Sequence, residues 1–181
     1  MGEEQDNKKI NVKDWIILST TMIGAVLTIL ALIWQFYPSS GIITVTFLLL
    51  LSFLLFVNSV SANSKANFEI RAKKIPEKQI YRFVTFAEYT FGLGFTFVIT
   101  AFSILGYKYF LDFAGRTIIA LILPISFMVI AWFMIFIYNT INYSGKPFKS
   151  IRSLKRNLWI ILELSSLAFI ILDFFEIILI P

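Results

Sequence analysis

Four carboxylates within otherwise apolar stretches are the residues best suited to chemistry in this sequence. Glu88 lies in one such stretch, and Glu163, Asp173 and Glu176 lie in another. A charge at the middle of a bilayer costs at least about 2.5–3.5 kcal/mol, so such residues usually face a helix interface or a wet cavity. No Lys or Arg falls in the interior of any apolar stretch, so these acids have no basic partner at similar depth. The acids can therefore take up a proton, bind a cation or reach water at an interface, and the first two options describe a proton or cation pathway.

The spacing of the polar residues predicts which of them lie together. On the last apolar stretch they recur at intervals of three, seven and three residues, on one face of a helix, at Glu163, Ser166, Asp173 and Glu176. Glu88 and Glu163 both follow a basic segment, so we expect them at similar depth. Asn58 and Asn139, near the ends of two other stretches, reach the same level and complete an inner polar cluster. The predicted ion pathway therefore consists of Glu88, Glu163, Asp173, Asn58 and Asn139.

The same acids also have a structural interpretation. Glu88 and Glu163 lie within about two turns of a predicted helix start, where the helix dipole favours a negative charge. Arg82, Lys155 and Arg156 are close enough in sequence to meet these acids by extending along the membrane interface. Contact with another subunit or a partner protein is a third interpretation, and the sequence leaves all three open.

A second polar pattern runs along the length of the first apolar stretch. Its members recur every seven residues, at Asp14, Thr21, Thr28 and Gln35. Gly24 and Ala31 lie on the same side, and small residues let helices approach closely in lipid, which favours packing within one subunit. In a ring of subunits the same seam would line a central pore with Asp14 as an acidic collar, because rings of polar groups select ions in narrow pores. Both interpretations stay open.

Five long apolar runs must position these residues, at about 15–37, 41–63, 81–106, 117–141 and 158–180. Each reaches the roughly 20 residues that a helix needs to cross the hydrocarbon. In lipid the backbone must satisfy its own hydrogen bonds, so helices are expected. The sequence predicts an all-α, polytopic integral membrane bundle with five transmembrane helices. Residues 15–181 form one transmembrane domain, and residues 1–14 form an N-terminal cytoplasmic segment.

The distribution of basic residues predicts the orientation. Fourteen Lys and Arg residues fall on one side of the five spans, and only Lys108 and Arg116 fall on the other. Short basic loops stay cytoplasmic, so we expect a multi-pass cell-membrane protein with the N-terminus inside and the C-terminus outside. The basic segment before the fifth span is either ordinary positive-inside charge or a site for anionic lipid headgroups. The residues of that predicted lipid site are Lys149, Arg152, Lys155 and Arg156.

Composition restricts the classes of function. Hydrophobic residues make up 58% of the chain and charged residues 15%, against about 45–50% and 25% in soluble domains. Cys and His are absent, which removes thiolate and imidazole metal ligands and the commonest general base. No phosphate-binding loop or serine nucleophile turn occurs. We therefore expect no enzyme, no cofactor, no metal site and no nucleic-acid partner.

These observations favour a small integral membrane transport protein, which would be either an oligomeric cation channel or a proton-coupled carrier. Five spans are few for a lone carrier, so a homo-oligomer or a place in a membrane complex is expected. The alternative is a non-conducting structural or accessory subunit of a larger membrane complex. A membrane enzyme that acts on lipid ranks last, because the sequence offers no catalytic constellation.

Overall fold

The computed structural model describes residues 12–72, 75–142 and 154–181. They form five helices: α1 Val12–Gln35, α2 Ile42–Ala72, α3 Glu77–Ala114, α4 Ile118–Asn142 and α5 Leu154–Phe174. Within these ranges the chain contains no strand, so the described part is all-α, as predicted. Helices α1, α2 and α3 are each long and apolar enough to cross a membrane.

Two of the helices are longer than their apolar runs. Helix α2 has 31 residues and α3 has 38, which corresponds to about 46 Å and 57 Å at 1.5 Å per residue. The hydrocarbon core is only about 30 Å thick. Both helices are therefore longer than one membrane crossing requires, and α3 continues for two turns beyond the predicted end of its span at residue 106. This extension places Lys108, which was predicted in a loop, in the body of a helix.

Helix α3 is the centre of the bundle and contacts each of the other four helices. Small residues bring α2 close to it. The hydroxyl of Ser52 donates to the Gly94 carbonyl at 3.0 Å. A Cβ atom at Gly94 would lie 3.2 Å from the Phe56 ring, so only glycine fits there without displacement.

Contacts at the two ends of the bundle fix how the helices are aligned along their axes. At one end Val12 of α1 packs with Ala66 of α2 and Val84 of α3. At the other end the side chain of Lys108 covers Gly41, where a Cβ atom would lie 2.7 Å from the lysine Cγ. Gly41 ends the α1–α2 loop with a φ of +85°, a conformation that glycine adopts without strain.

Helix α5 ends at Phe174, six residues before the predicted end of its span. The N–H of Ile177 donates to the Leu172 carbonyl at 2.9 Å, and the N–H of Glu176 donates to the Asp173 carbonyl at 3.1 Å. Glu176 has a φ of +60°. Together these features form a Schellman motif, which terminates a helix and turns the chain.

Residues 175–181, here called the C-terminal tail, return along the bundle. The N–H of Thr44 at the start of α2 donates to the Pro181 carbonyl at 3.0 Å. Ile180 is 5% exposed and belongs to the main apolar cluster. The tail therefore packs against the bundle instead of extending α5.

Candidate functional site

Asp173 is the centre of a buried ion pair between α5 and α3. The Lys108 Nζ lies 3.0 Å from both carboxylate oxygens, and both side chains are 2% exposed. The Tyr107 hydroxyl donates to Oδ2 at 2.7 Å, and the Ile180 N–H donates to Oδ1 at 2.7 Å. Three donor groups therefore surround this carboxylate, and one of them, the Lys108 ammonium, balances its charge.

The expectation that Asp173 has no basic partner is wrong. The apolar run that predicted the third span stops at residue 106, but the helix continues to Ala114 and carries Lys108 to the level of Asp173. A buried carboxylate with its charge balanced and its oxygens occupied offers little to a passing cation. Its geometry is that of a link between α3, α5 and the C-terminal tail.

Arg116 caps the end of α5 beside this pair. Its Nη1 donates to the carbonyls of Asp173 at 3.1 Å and Phe174 at 2.7 Å, which have no partner within the helix. Its Nη2 lies 3.1 Å from Glu176 Oε1, in a pair whose side chains are 44% and 71% exposed. Glu176 is thus an exposed, paired residue at the helix end and not part of a buried pathway.

The sequence contained a signal for both pairs that hydropathy alone does not use. Lys108 and Arg116 are the two bases on the weakly charged side, and Asp173 and Glu176 are the acids nearest the same end of the bundle. Matching the two sets by depth leads to the pairing that the structure has.

Glu163 lies deep in the bundle, between α4 and α5. Its side chain is 3% exposed, and the indole N–H of Trp132 on α4 donates to Oε2. Ser166 donates to the Glu163 backbone carbonyl at 2.8 Å. Among the side chains that the structure describes, no Lys or Arg forms an ion pair with Glu163. It is ten residues, or about 15 Å along α5, from the buried Asp173.

The structure does not bring Glu88 and Glu163 together. Leu162, beside Glu163, lines the same cavity as Phe97 of α3, and Phe97 lies nine residues from Glu88, or about 14 Å along the helix. Glu88 is exposed. The two carboxylates therefore lie at different depths, and the inner polar cluster is wrong in this respect.

The two asparagines of that cluster have separate outcomes. Asn58 is exposed and lies at the level of Glu88, since its neighbour Ser59 donates to the Ala87 carbonyl at 3.0 Å. Asn139 belongs to α4, but its side chain lies outside the described part of the structure. Of the predicted pathway, Glu163 is the carboxylate that the structure places in a buried position with no ion pair among the described side chains.

The polar seam of α1 faces away from the other helices. All four of its members are exposed, namely Asp14, Thr21, Thr28 and Gln35. Among the residues that the structure describes, nothing lies within 4 Å of where a Cβ atom would stand at Gly24. The face that packs on α2 instead contains Ser19, whose hydroxyl lies 3.2 Å from that of Ser59. Packing within one subunit is therefore the wrong interpretation of the seam.

The predicted lipid site cannot be placed, because Lys149 and Arg152 lie outside the described residues, as do the side chains of Lys155 and Arg156. A different basic groove of about 440 Å³ lies between α2 and α3. Its lining residues are Asn58, Ser61, Ala62, Lys65, Arg82, Phe83 and Phe86. This groove was not predictable from local sequence patterns, because its two halves are on separate helices.

Within the described residues, no group of three acidic side chains is arranged to hold a metal ion. Comparison of the chain with protein-family models, with curated proteins and with solved structures gives no match.

Proposed function

We propose that this chain is a small integral membrane transport protein, a cation channel or proton-coupled carrier, in which Glu163 takes up the proton or cation. The observation that carries the proposal is the burial of this carboxylate, 3% exposed in an apolar helix interface. The Trp132 indole is one donor to it, which does not balance a negative charge. A carboxylate at this depth is stable when it holds a proton or a cation.

The proposed topology has five spans in the cell membrane, with a cytoplasmic N-terminus. The lengths of α1, α2 and α3 support it, as does the excess of basic residues on one side. In this topology the Lys108–Asp173 pair lies near the outer surface. Glu163 then lies about 15 Å further in, close to the middle of a 30 Å hydrocarbon layer.

The proposed assembly is a homo-oligomer built through α1. Its support is the polar seam, defined by Asp14, Thr21, Thr28 and Gln35, which is exposed in the described part of the chain. Small and hydroxyl-bearing residues allow helices to pack closely in lipid. A second copy that covers this face would bring the seams of neighbouring subunits together.

A second candidate function is that of a non-conducting structural or accessory subunit. The Lys108–Asp173 pair favours it, because a balanced ion pair at a helix interface holds elements in place instead of moving charge. The exposed positions of Glu88 and Asn58 are also suited to contact with a partner chain.

Anionic lipid is the proposed membrane partner of the basic face. The groove between α2 and α3 places Arg82, together with Lys65 of the Lys65–Glu69 pair, beside the rings of Phe83 and Phe86. Basic pockets between transmembrane helices on the cytoplasmic side attract anionic headgroups, and the aromatic rings suit the acyl chains.

Flux into liposomes tests the transport proposal. Glu163→Gln keeps an oxygen that accepts from Trp132 but cannot take up a proton, so we expect it to abolish proton or cation flux. Glu88→Gln, an exposed change on α3, is the matched control and should leave flux unchanged.

Absence of flux from the native chain across several cations and both signs of membrane potential would overturn transport and favour the accessory subunit. Equal flux from native protein and Glu163→Gln would remove Glu163 from the mechanism. Mass measurement in nanodiscs tests the assembly, and a clean monomer would exclude a pore on a shared axis.

A further inference from the structure

A cavity of about 520 Å³ lies between α2, α3, α5 and the C-terminal tail. We call it the lateral cavity, and its walls include Leu48, Phe97, Ile104, Leu162, Phe169 and Ile180. Its rim is exposed, with Phe169 at 54% and Leu179 at 75%. The rim therefore opens sideways between the helices, toward the surface that faces lipid in the proposed topology.

The accessible wall of the lateral cavity is almost entirely hydrocarbon. Among the polar residues of the wall, the Thr100 Oγ1 is covered by neighbouring atoms. The Ser166 hydroxyl is already bonded, since it donates to the Glu163 carbonyl at 2.8 Å. The Pro181 carbonyl accepts from the Thr44 N–H at 3.0 Å. An ordered water needs two to four polar partners, so this wall favours a hydrocarbon occupant over water or a polar molecule.

The lateral cavity is continuous with the apolar outer surface of the bundle. Helices α2 and α3, which form two of its walls, are each long and apolar enough to cross a membrane. On α2 the apolar surface continues outside the cavity, with Phe47 at 60% and Leu50 at 43% exposure. An unfilled cavity deprives the atoms of its wall of contacts on one side. The lipid chains beside the rim are the molecules at hand to supply those contacts.

We propose that the lateral cavity binds one acyl chain of a membrane phospholipid, which enters from the bilayer over the exposed rim. The chain would pack against Phe97 of α3, Phe169 of α5 and the C-terminal tail. The cavity volume falls within the range of about 300–1,000 Å³ that is typical of sites for small apolar ligands. This inference rests on the proposed membrane location and goes beyond the role of Glu163, because it requires no transport.

The depth of the cavity matches the chain region of a phospholipid. Lys108 covers Gly41 at the end of the bundle. Along α3, Ile104 lies four residues from Lys108 and Phe97 lies eleven, or about 6 Å and about 16 Å. A phospholipid has its ester groups near the membrane surface and methylene groups below them, so its chain would pass Ile104 first and Phe97 later. In the proposed topology this end of the bundle is the outer one, which assigns the chain to the outer leaflet.

Photochemical cross-linking of the full chain in nanodiscs tests the proposal. The probe is a phospholipid with a diazirine in the middle of one acyl chain, and mass spectrometry identifies the residues to which it attaches. We expect cross-links at Phe97 and Leu162, which are half-buried and line the cavity. Lipid around the bundle should also label outward-facing residues such as Ile130 on α4, which is 62% exposed. A diazirine close to the ester should move the cavity cross-links from Phe97 toward Ile104.

A comparison of headgroups separates this site from the basic groove between α2 and α3. The same labelled chain is attached to a zwitterionic and to an anionic headgroup. Equal labelling of Phe97 is expected with both, because no Lys or Arg is among the described residues that line the lateral cavity. Labelling of Phe97 by the anionic probe alone would mean that the headgroup selects the lipid, and it would overturn binding through the chain. The readout does not involve flux, so it stands or falls separately from the transport proposal.

Two filled variants test whether the labelled chain lies inside the cavity. Leu48→Trp fills the cavity from α2 and should abolish the cross-links at Phe97, while those at Ile130 persist. Ser165→Trp fills it from α5 at an exposed position, so it should have the same effect with little disturbance of the packing. Leu50→Trp is the matched control, because Leu50 is exposed on the same helix and is not a lining residue of the cavity.

Two results would overturn the proposal. The first is a native chain that is labelled at Ile130 but at neither Phe97 nor Leu162, and this result needs no variant. It would mean that lipid surrounds the bundle without entering the cavity. The second is undiminished labelling of Phe97 in both Leu48→Trp and Ser165→Trp, which would place the labelled chain outside the cavity.

Discussion

Removing one partner of the Lys108–Asp173 pair should destabilise the bundle strongly. Both side chains are 2% exposed, so a single replacement leaves an uncompensated buried charge, at a cost of about 3–5 kcal/mol. Asp173→Asn should be the more harmful change. It leaves the Lys108 ammonium without its charge partner while keeping a side chain of similar shape.

Lys108→Met should cost less, because Asp173 keeps the Tyr107 hydroxyl and the Ile180 N–H as donors. The double variant, with Lys108→Met and Asp173→Asn together, contains no charge at this buried pair. It should therefore be more stable than Asp173→Asn alone, with a coupling energy of about 1.5–3 kcal/mol between the two positions.

The measurement is the free energy of unfolding in mixed micelles as the fraction of denaturing detergent rises, for native protein, both single variants and the double variant. Glu176→Gln is the control, since the Arg116–Glu176 pair is exposed and should contribute no more than about 1 kcal/mol. Additive effects of the two single changes, or single changes as small as the control, would refute the reasoning that Asp173 is a structural link.

Three further changes have defined outcomes. Gly94→Val should separate α2 from α3 and cost about 1–3 kcal/mol in the same titration, because a Cβ atom there meets the Phe56 ring at 3.2 Å; an unchanged stability would contradict the close packing. Ser59→Ala removes a buried hydroxyl that donates across to α3 and should cost about 0.6–1.7 kcal/mol, and a stability gain would show that this bond is not needed. Glu176→Gly relieves a φ of +60° but loses an exposed pair with Arg116, so its thermal unfolding temperature should stay the same or rise slightly, and a clear fall would mean that the pair outweighs the strain.

The helices themselves were predictable from local properties of the chain. Apolar runs of 20 or more residues predict helices in lipid wherever they occur, because each helix satisfies its own backbone hydrogen bonds. The first predicted span, residues 15–37, corresponds to α1 at Val12–Gln35. The burial of Glu163 followed from the same reasoning, since an acid in an apolar helix is expected to face the bundle.

Helix ends and ion pairs were not predictable in this way. The ends of α2 and α3 lie beyond their apolar runs, where polar residues continue the helix because it still packs against its neighbour. Lys108 and Asp173 are 65 residues apart in sequence. Their meeting depends on how far α3 extends and where α5 ends, and hydropathy measures neither.

The sequence by itself determined an apolar, all-helical chain with a basic side and a small set of acids in unusual places. Only the tertiary structure decided which acid is neutralised by a lysine and which acid is buried beside an indole. It also decided that the α1 seam faces outward. The physical reason is that hydropathy and helix formation are local properties of a segment. The partner of a side chain instead depends on the rotation and relative depth of whole helices, which are set by the sum of many packing contacts across the bundle.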